Sequence, residues 1–403
     1  LNLPHQVFKG TTLLPLQQYS ITPERGFLTP SNMEEVTLPS VFDPIVEAGQ
    51  KLSDYMTTGR VRHFLNKLPE IEMDGVLDEL SDAQLRMLMV RYSFIMQAYM
   101  WGQDDVTDTL PRNIAVPFTK LSDKMGLFPL LPYSGYTLDN WAKLEPEGDV
   151  TLDNIHVIQN FYDGVDENWF ILVHVEIEAK AGPALAAIPA LLDAVKKGDA
   201  ETVKTQLRVI KDAWGKINPV FDRMPERCDP HAYYLRVRPY IHGFKGNPAL
   251  PEGLIYEGVE KFNGKPQQFR GQTGSQSSIV PTMDALLQIE HEQDPMREYL
   301  DELHVYRPPK HRKFIEDVRD NSTLRQYVMD SQDNELTGLY NDVVEHVQAF
   351  RTRHLEYAAS YINKQARSSE GNPTEVGTGG TPFMKYLKKH RDESRRHLLP
   401  LAS

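Results

Sequence analysis

His354 lies at the centre of an apolar face in a predicted helix that includes the segment VQAFRTRHLEYAA, residues 347–359. At about 100° per residue, six apolar or aromatic residues fall within about 60° of it on the helical wheel. They are Leu339, Val343, Val347, Phe350, Tyr357 and Tyr361. The residues alone leave two interpretations open. His354 is a core histidine satisfied by a hydrogen bond, or its imidazole ligates a metal from an apolar wall.

An axial haem ligand is the metal chemistry that suits such a wall. Haem iron takes one neutral imidazole nitrogen, while an acceptor orients the other nitrogen. The chain contains no Glu-x-x-His, which argues against a carboxylate di-iron site, and the sequence HEQDP at 291–295 is not the zinc motif HExxH. Cys228 is the single cysteine, so an internal disulfide, a CxxCH haem attachment and a cysteine zinc cluster are excluded. One cysteine also fits a reducing compartment such as the cytosol.

A second histidine, His174, lies in the segment NWFILVHVEIEAKAGPAL. In a helix it would share a face with Phe170 and Ile177, whereas in a strand it would share a face with Glu176 and Glu178. Periodicity does not separate these alternatives, but the continuation of the segment in small residues favours a helix.

The composition is that of a globular protein. The chain has 403 residues, 40% hydrophobic and 25% charged, with a formal net charge of −12. This charge disfavours nonspecific nucleic-acid binding, which needs a basic face. The basic cluster at 385–396 is interrupted by acids and is interpreted as a solvated C-terminal helix. Apolar runs stay short of the roughly 20 residues that span a bilayer, and the first ten residues do not resemble a signal peptide.

Helical periodicity covers most long segments, and neither an alternating βαβ order nor an internal repeat is present. One helix is predicted over 81–102 with Ser81 as its N-cap, and two more are predicted to join near Gly198 and Asp199. Residues 243–282 and 366–382 are rich in Gly, Pro and small polar residues and are predicted loops. A domain boundary is expected near 145–155.

Five segments together resemble the indoleamine 2,3-dioxygenase family, haem enzymes that open the indole ring of tryptophan. The segments are PRNIAVPFTKLSDKMGLFPLLPYSGYTLDNW, YIHGFKGNPALPEGLIYEG, FRGQTGSQSSIVPTMDALL, RTRHLEY and GTGGTPFMKYL. They follow the family's order and spacing from about residue 90 to the C-terminus. The resemblance implies an all-α fold, in which a smaller, mostly helical N-terminal domain (1–150) caps a large helical bundle (151–403) that holds non-covalent haem b.

The resemblance also implies which residues surround the haem. His354 corresponds to the proximal ligand of the iron, and Arg351 and Asp284 correspond to a pair that braces the ligand helix. The small-residue loop 271–278 would lie beside the haem, where small residues let backbone approach closely. The loop residues assigned to haem binding are Thr273, Gly274 and Ser275. The first two replace a Ser-Ala pair that is commoner in the family.

Arg238 corresponds to the arginine that holds the substrate carboxylate, because a guanidinium binds a carboxylate through two charge-assisted hydrogen bonds. Its neighbour Arg236 is the alternative and is expected to be exposed. The other residues assigned to the substrate pocket are Tyr133, Tyr136, Phe170, Tyr233, Tyr234 and Thr378. Thr378 belongs to GTGGT, which corresponds to a mobile lid within 366–382. GTGGT lacks the lysine that follows in a phosphate-binding P-loop.

Three features depart from the family pattern. A gap-free match places His174 where the best-known vertebrate member has serine on the distal side. A histidine at this position resembles the pattern of the other tryptophan dioxygenase family. As a catalytic residue, His174 would accept a hydrogen bond from the indole N–H. Tyr136 replaces a smaller residue and is expected to narrow the pocket. Tyr233 and Tyr234 stand where phenylalanine is commoner, so their hydroxyl groups need partners.

The expected activity is haem-dependent dioxygenation of L-tryptophan, or a related indoleamine, to N-formylkynurenine. Dioxygen would be the co-substrate, and an unidentified electron donor would keep the iron ferrous. The protein is expected to be a cytoplasmic monomer without nucleic-acid or membrane partners. Two alternatives remain: a haem-binding paralogue with little turnover and a signalling role, and a monooxygenase that acts on a related indole.

Overall fold

The structure, a computed structural model, describes residues 13–293, 295–365 and 384–401. It is predominantly helical, which confirms the predicted all-α class. The first helices are α1 (Asp43–Gln50), α2 (Leu52–Thr57), α3 (Val61–Leu65), α4 (Val76–Glu79), α5 (Asp82–Trp101), α6 (Arg112–Met125), α7 (Val165–Lys180) and α8 (Gly182–Lys197). They are followed by α9 (Ala200–Asp222), α10 (Pro230–Ala232), α11 (Ile279–Leu287), α12 (Pro295–His304), α13 (Pro309–Asn321), α14 (Leu324–Ser331), α15 (Asn334–Tyr361) and α16 (Met384–Arg395).

Short irregular helices and strands connect these elements. Two π-helical turns cover Ser134–Leu138 and Tyr233–Val237. The 3₁₀ turns are Leu16–Tyr19, Met33–Glu35, Ser40–Phe42, Met224–Glu226, Arg238–Ile241, Glu260–Phe262, Gly274–Gln276 and Asn363–Gln365. The strands are β1 (Thr109–Leu110), β2 (Trp141–Lys143), β3 (Ile155–Val157) and β4 (Ile255–Tyr256). The strands β1 and β4 pair in parallel, whereas β2 and β3 are antiparallel with Ala142 opposite His156. The expected domain boundary falls in the connection from β2 to β3, and the division into two domains stays a prediction.

The helix limits follow the capping chemistry of the sequence. Ser81 caps α5 as predicted, since its Oγ accepts from the Gln84 backbone N–H at 3.2 Å and the Gln84 side chain accepts from the Ser81 N–H at 3.0 Å. The predicted join between α8 and α9 is also confirmed. Gly198 ends α8 in the left-handed region at φ 71°, and the side chain of Asp199 accepts from the Thr202 N–H that opens α9.

The long helices form the frame on which the site is built. Helix α9 packs against both α8 and α15, and α7 also packs against α9. The segment that carries His174 is therefore a helix, α7, as its small-residue continuation suggested. Within the described residues, no helix combines the length and apolar composition needed to cross a membrane.

Two loop and surface predictions need revision. The prediction of a solvated C-terminal helix is wrong for one face of α16, because His390, Glu393 and Ser394 are buried and the helix packs against α15. The predicted loop 243–282 is largely irregular, but α11 begins inside it at Ile279. The predicted lid at 366–382, with Thr378, lies outside the described residues.

Candidate functional site

Helices α7 and α15 place His174 and His354 on the wall of one cavity of about 290 Å³. This volume is near the lower end of the range for small-molecule and cofactor sites, about 300–1,000 Å³. Apolar side chains from several elements complete much of the wall: Ile177, Phe221, Ile279, Val280, Leu300 and Phe350. The apolar stripe around His354 is thus partly core and partly cavity wall.

The imidazole of His354 is neutral in this setting. Burial, and to a smaller extent the nearby His174, lowers its pKa to about 4. Among the residues that the structure describes, none forms a hydrogen bond with either ring nitrogen of His354. A buried polar atom normally has a partner, so a neutral nitrogen at a cavity wall is available as a metal ligand.

His174 presents an acceptor nitrogen near the opposite loop. Its Nδ1 lies 2.7 Å from the carbonyl oxygen of Phe170, which only an N–H can satisfy. Nε2 therefore carries the lone pair. It lies close to Gly274, because a Cβ atom added to that glycine would be 3.8 Å from Nε2. Burial lowers the pKa of His174, although the Phe170 carbonyl opposes this effect. The ring is thus a neutral hydrogen-bond acceptor near pH 7.

The predicted pair of Asp284 and Arg351 is formed. Arg351 Nη2 lies 2.5 Å from Asp284 Oδ2, and Nη1 donates to Ser394 Oγ at 2.5 Å. Burial would raise the pKa of Asp284, but the charge of Arg351 and the contact with His291 bring it well below its usual range. Because Arg351 precedes His354 by one helical turn, the pair fixes α15 beside the His354 ring.

The predicted substrate residues form a layer next to the cavity. Phe170 lies 4.8 Å from the His174 ring and 4.8 Å from the Tyr233 ring, as centroid distances. Arg238 is fully buried and its guanidinium carbon lies 6.0 Å from the centroid of Tyr234, whereas Arg236 is exposed as expected. Burial lowers the pKa of Arg238. The structure thus brings an arginine and an aromatic group together on the His174 side.

Tyr136, like Arg238, Phe170 and Tyr233, does not line this cavity, and its expected narrowing of the pocket stays a prediction. Its ring is fully buried, lies 5.7 Å from the ring of Phe94 and 6.3 Å from that of Phe170, and is absent from the cavity wall. Its hydroxyl has no hydrogen-bond partner among the described residues. Thr273 is also set back from the wall. Its Oγ1 accepts from the Ser275 N–H at 3.4 Å and caps the 3₁₀ turn beside His174.

The sequence analysis missed a buried carboxyl group behind the wall. Glu178 Oε1 accepts from Tyr133 Oη at 2.9 Å and from Ser277 Oγ at 2.7 Å. Burial raises the pKa of Glu178 to about 7, and the two hydroxyl donors oppose the rise. The available signal was its position four residues after His174, which places both on one helix face.

A buried arginine of the cavity wall was also missed. Arg307 is 2% exposed and donates to the carbonyl oxygen of Ser275 at 2.8 Å. Burial lowers its pKa to about 10. This contact holds the loop that faces His174. The sequence carried no signal for it, because Arg307 lies 32 residues from its partner.

One family model and three individual relatives match nearly the whole chain. The family model described as indoleamine 2,3-dioxygenase matches residues 15–397. Indoleamine 2,3-dioxygenase 1 of Rattus norvegicus is 34% identical over 95% of this chain and 96% of its own length. Indoleamine 2,3-dioxygenase 2 of Homo sapiens is 30% identical over 98% of both chains. Indoleamine 2,3-dioxygenase of Saccharomyces cerevisiae is 29% identical over 96% of this chain and 95% of its own.

Proposed function

Because this chain belongs to the indoleamine 2,3-dioxygenase family, we propose that it is a haem-dependent dioxygenase that converts L-tryptophan to N-formylkynurenine. Family membership supports a dioxygenase acting on an indoleamine. One observation carries the finer proposal: two neutral histidines, on α7 and α15, share one largely apolar cavity.

The residues present fit a haem. His354 offers a neutral nitrogen without a protein partner in the described part of the chain, and a largely apolar wall surrounds it. His354 would hold the iron, Gly274 and Ser275 would lie against the macrocycle, and Thr273 would fix their turn from behind. Arg351 with Asp284 would hold the ligand helix. When bound, the haem iron would supply the activation of dioxygen.

The chain's own residues would bind and orient the substrate. Arg238 would take the amino-acid carboxylate in two hydrogen bonds, and Phe170 and Tyr233 would pack against the indole ring. Tyr133, Tyr136 and Tyr234 would support this aromatic layer. Fixing the ring in a reactive orientation contributes several kcal/mol, up to about 7–11 kcal/mol in well-oriented systems. The apolar wall would keep bulk water from the reacting centre.

His174 would accept a hydrogen bond from the indole N–H. Its Nδ1 is committed to the Phe170 carbonyl, so Nε2 is the acceptor. Burial lowers the pKa of this imidazole, which makes it a weak base near pH 7. The role that fits is therefore orientation of the indole, and removal of its proton is disfavoured.

The product formed under isotopically labelled dioxygen tests the proposal. Haem-loaded, reduced protein would be given L-tryptophan, and the product mass would be measured. Two labelled oxygen atoms in a ring-opened product support the dioxygenase, because both atoms of one dioxygen molecule enter N-formylkynurenine. One labelled atom would indicate a monooxygenase. No product from protein with haem bound would favour the paralogue with little turnover.

A matched variant shows whether the activity belongs to the proposed site. His354→Ala should lose haem and product together, while His346→Ala, which removes another imidazole from α15, should keep both. The lid with Thr378, the cytoplasmic location, the monomeric state and the electron donor stay predictions.

A further inference from the structure

A second group of possible metal ligands lies behind the Asp284–Arg351 pair. His291 follows α11, and His390 and Glu393 are three residues apart on α16, so both project from one helix face. One potential ligand atom from each of the three lies within 4.8 Å of the others. His291 Nδ1 is 2.6 Å from Glu393 Oε2, and their side chains are 1% and 4% exposed.

The electron pairs of this cluster are incompletely satisfied. Glu393 Oε1 is buried and has no hydrogen-bond partner among the described residues. Its nearest cation, Lys389 Nζ, is 3.5 Å away. His390 is 5% exposed and its ring stacks on that of His291. Buried carboxylate oxygens without donors are costly, and a cation between these groups would satisfy them.

One carboxylate oxygen of the cluster remains for an ion. Arg351 neutralises Asp284 at 2.5 Å. Glu393 Oε2 pairs with His291 Nδ1 at 2.6 Å, but Glu393 Oε1 has no hydrogen-bond partner among the described residues. Two imidazoles and one carboxylate are the protein ligands of many zinc sites, with water in the fourth position. Hard cations such as Ca²⁺ and Mg²⁺ prefer oxygen ligands and fit this set poorly.

Binding an ion requires small movements of the ligand atoms. Zinc takes nitrogen and oxygen ligands at about 2.0–2.2 Å, which separates two ligands of a tetrahedron by about 3.4 Å. Ligand atoms at the 4.8 Å limit need to approach by about 1.4 Å, whereas His291 Nδ1 and Glu393 Oε2, which are 2.6 Å apart, need to separate by about 0.8 Å. The two imidazole rings are stacked, with centroids 4.1 Å apart and planes 6° apart, so one ring turns about its Cβ–Cγ bond to face the ion. Both rings also line the cavity that is proposed to hold the haem.

We propose that His291, His390 and Glu393 bind one zinc-class divalent ion, separate from the haem iron, that ties the C-terminal helix α16 to the wall behind the iron ligand. The ion replaces the direct contact between His291 and Glu393 with coordination. Since α16 also receives the hydrogen bond from Arg351 to Ser394, the site would stabilise the packing of α16 on α15.

Zinc binding to the haem-loaded chain tests the proposal. The protein would be treated with a chelator, dialysed, and titrated with zinc chloride in a calorimeter, with metal content measured afterwards. The expected result is one zinc per chain. Because loss of a partner outside the ligand shell already weakens metal binding by about 10- to 100-fold, His291→Ala and His390→Ala should each weaken it by about 100-fold or more. His346→Ala is the control and should bind zinc as the unaltered chain does.

Two further measurements keep a negative result interpretable. The far-ultraviolet circular dichroism and haem content of each variant without zinc should match those of the unaltered chain, which shows that the fold is retained. Zinc should raise the midpoint of thermal unfolding of the unaltered chain and leave that of His390→Ala in place. The proposal is overturned by absence of zinc uptake, by equal uptake in His390→Ala, or by uptake that occurs only after haem is removed.

Discussion

Removal of the Asp284 carboxylate should destabilise the wall behind His354 strongly. In the Asp284→Ala variant, Arg351 stays 8% exposed and keeps a hydrogen bond to Ser394 Oγ, but it loses the carboxylate 2.5 Å away. A buried charge that loses its partner costs about 3–5 kcal/mol. At about 2.1 cal/mol/K per residue, the 403 residues have an unfolding entropy of about 0.85 kcal/mol/K. The unfolding midpoint should therefore fall by about 4–6 °C.

A double-mutant cycle measures the interaction energy between Asp284 and Arg351 separately from the cost of removing each side chain. Arg351→Met removes the guanidinium but keeps an apolar side chain of similar length, and Asp284→Ala combined with it leaves neither charge unpaired. We expect the double variant to lose less stability than the sum of the single variants by at least about 1 kcal/mol. Unfolding followed by circular dichroism and by haem absorbance measures both the stability and the retention of haem. Additive losses would refute the inference that the two charges act as a unit.

An exposed pair provides the control, and pH provides a second readout. Glu47 lies 2.6 Å from Lys51, but both are more than half exposed, so Glu47→Ala should leave the unfolding midpoint nearly unchanged. The lowered pKa of Asp284 contributes stability that is present above the ordinary pKa of aspartate. That contribution is lost as the pH falls through the lowered value. The acid branch of the stability curve should therefore be shallower in Asp284→Ala.

Four further variants test the cavity and the backbone. The His174→Ala variant should keep its haem and lose about fivefold in kcat/KM for L-tryptophan, because one hydrogen bond contributes about 1 kcal/mol. Unchanged kcat and KM would contradict the orienting role. Burial raises the pKa of Glu178 to about 7. The protonated carboxyl group therefore contributes about 3 kcal/mol of stability below about pH 4.5, and this contribution is lost as the pH rises through 7. Glu178→Gln should flatten this part of the stability curve, and an unchanged curve would disprove the assignment. Gly215→Ala should stabilise α9 by about 0.5–1 kcal/mol, because a Cβ atom there meets no heavy atom within 4 Å. Gly243→Ala should destabilise the protein, because its Cβ atom would lie 2.1 Å from the Gly271 nitrogen. Urea unfolding of the two variants measures both effects.

Local chemistry made the helices predictable. The serine and glutamine of the α5 capping box, and the Gly198–Asp199 junction, act within four residues of the helix end that they define. The apolar face of α15 is likewise a local repeat. The family resemblance then supplied residues that no local rule relates, such as the partners Asp284 and Arg351, which are 67 positions apart.

Interactions across long chain distances set the limit of the sequence analysis. Residues 385–396 are rich in charge, and charge predicts exposure. Yet His390, Glu393 and Ser394 share one face of α16, and that face contacts Arg351 and His291 more than 40 positions away. Burial of Tyr136 away from the cavity wall has the same origin, because its place depends on Phe94 and Phe170.

His311 shows why a buried, unpaired histidine is insufficient to identify a metal ligand. It is 1% exposed, neither ring nitrogen has a partner among the described residues, and burial lowers its pKa to about 3. Its ring packs 4.7 Å from Phe27 and does not line the cavity. His354 has the same neutral ring, but it faces open volume that it shares with His174. The cavity and the second histidine therefore support the proposal that His354, and not His311, is a metal ligand, and both depend on helices some 180 residues apart.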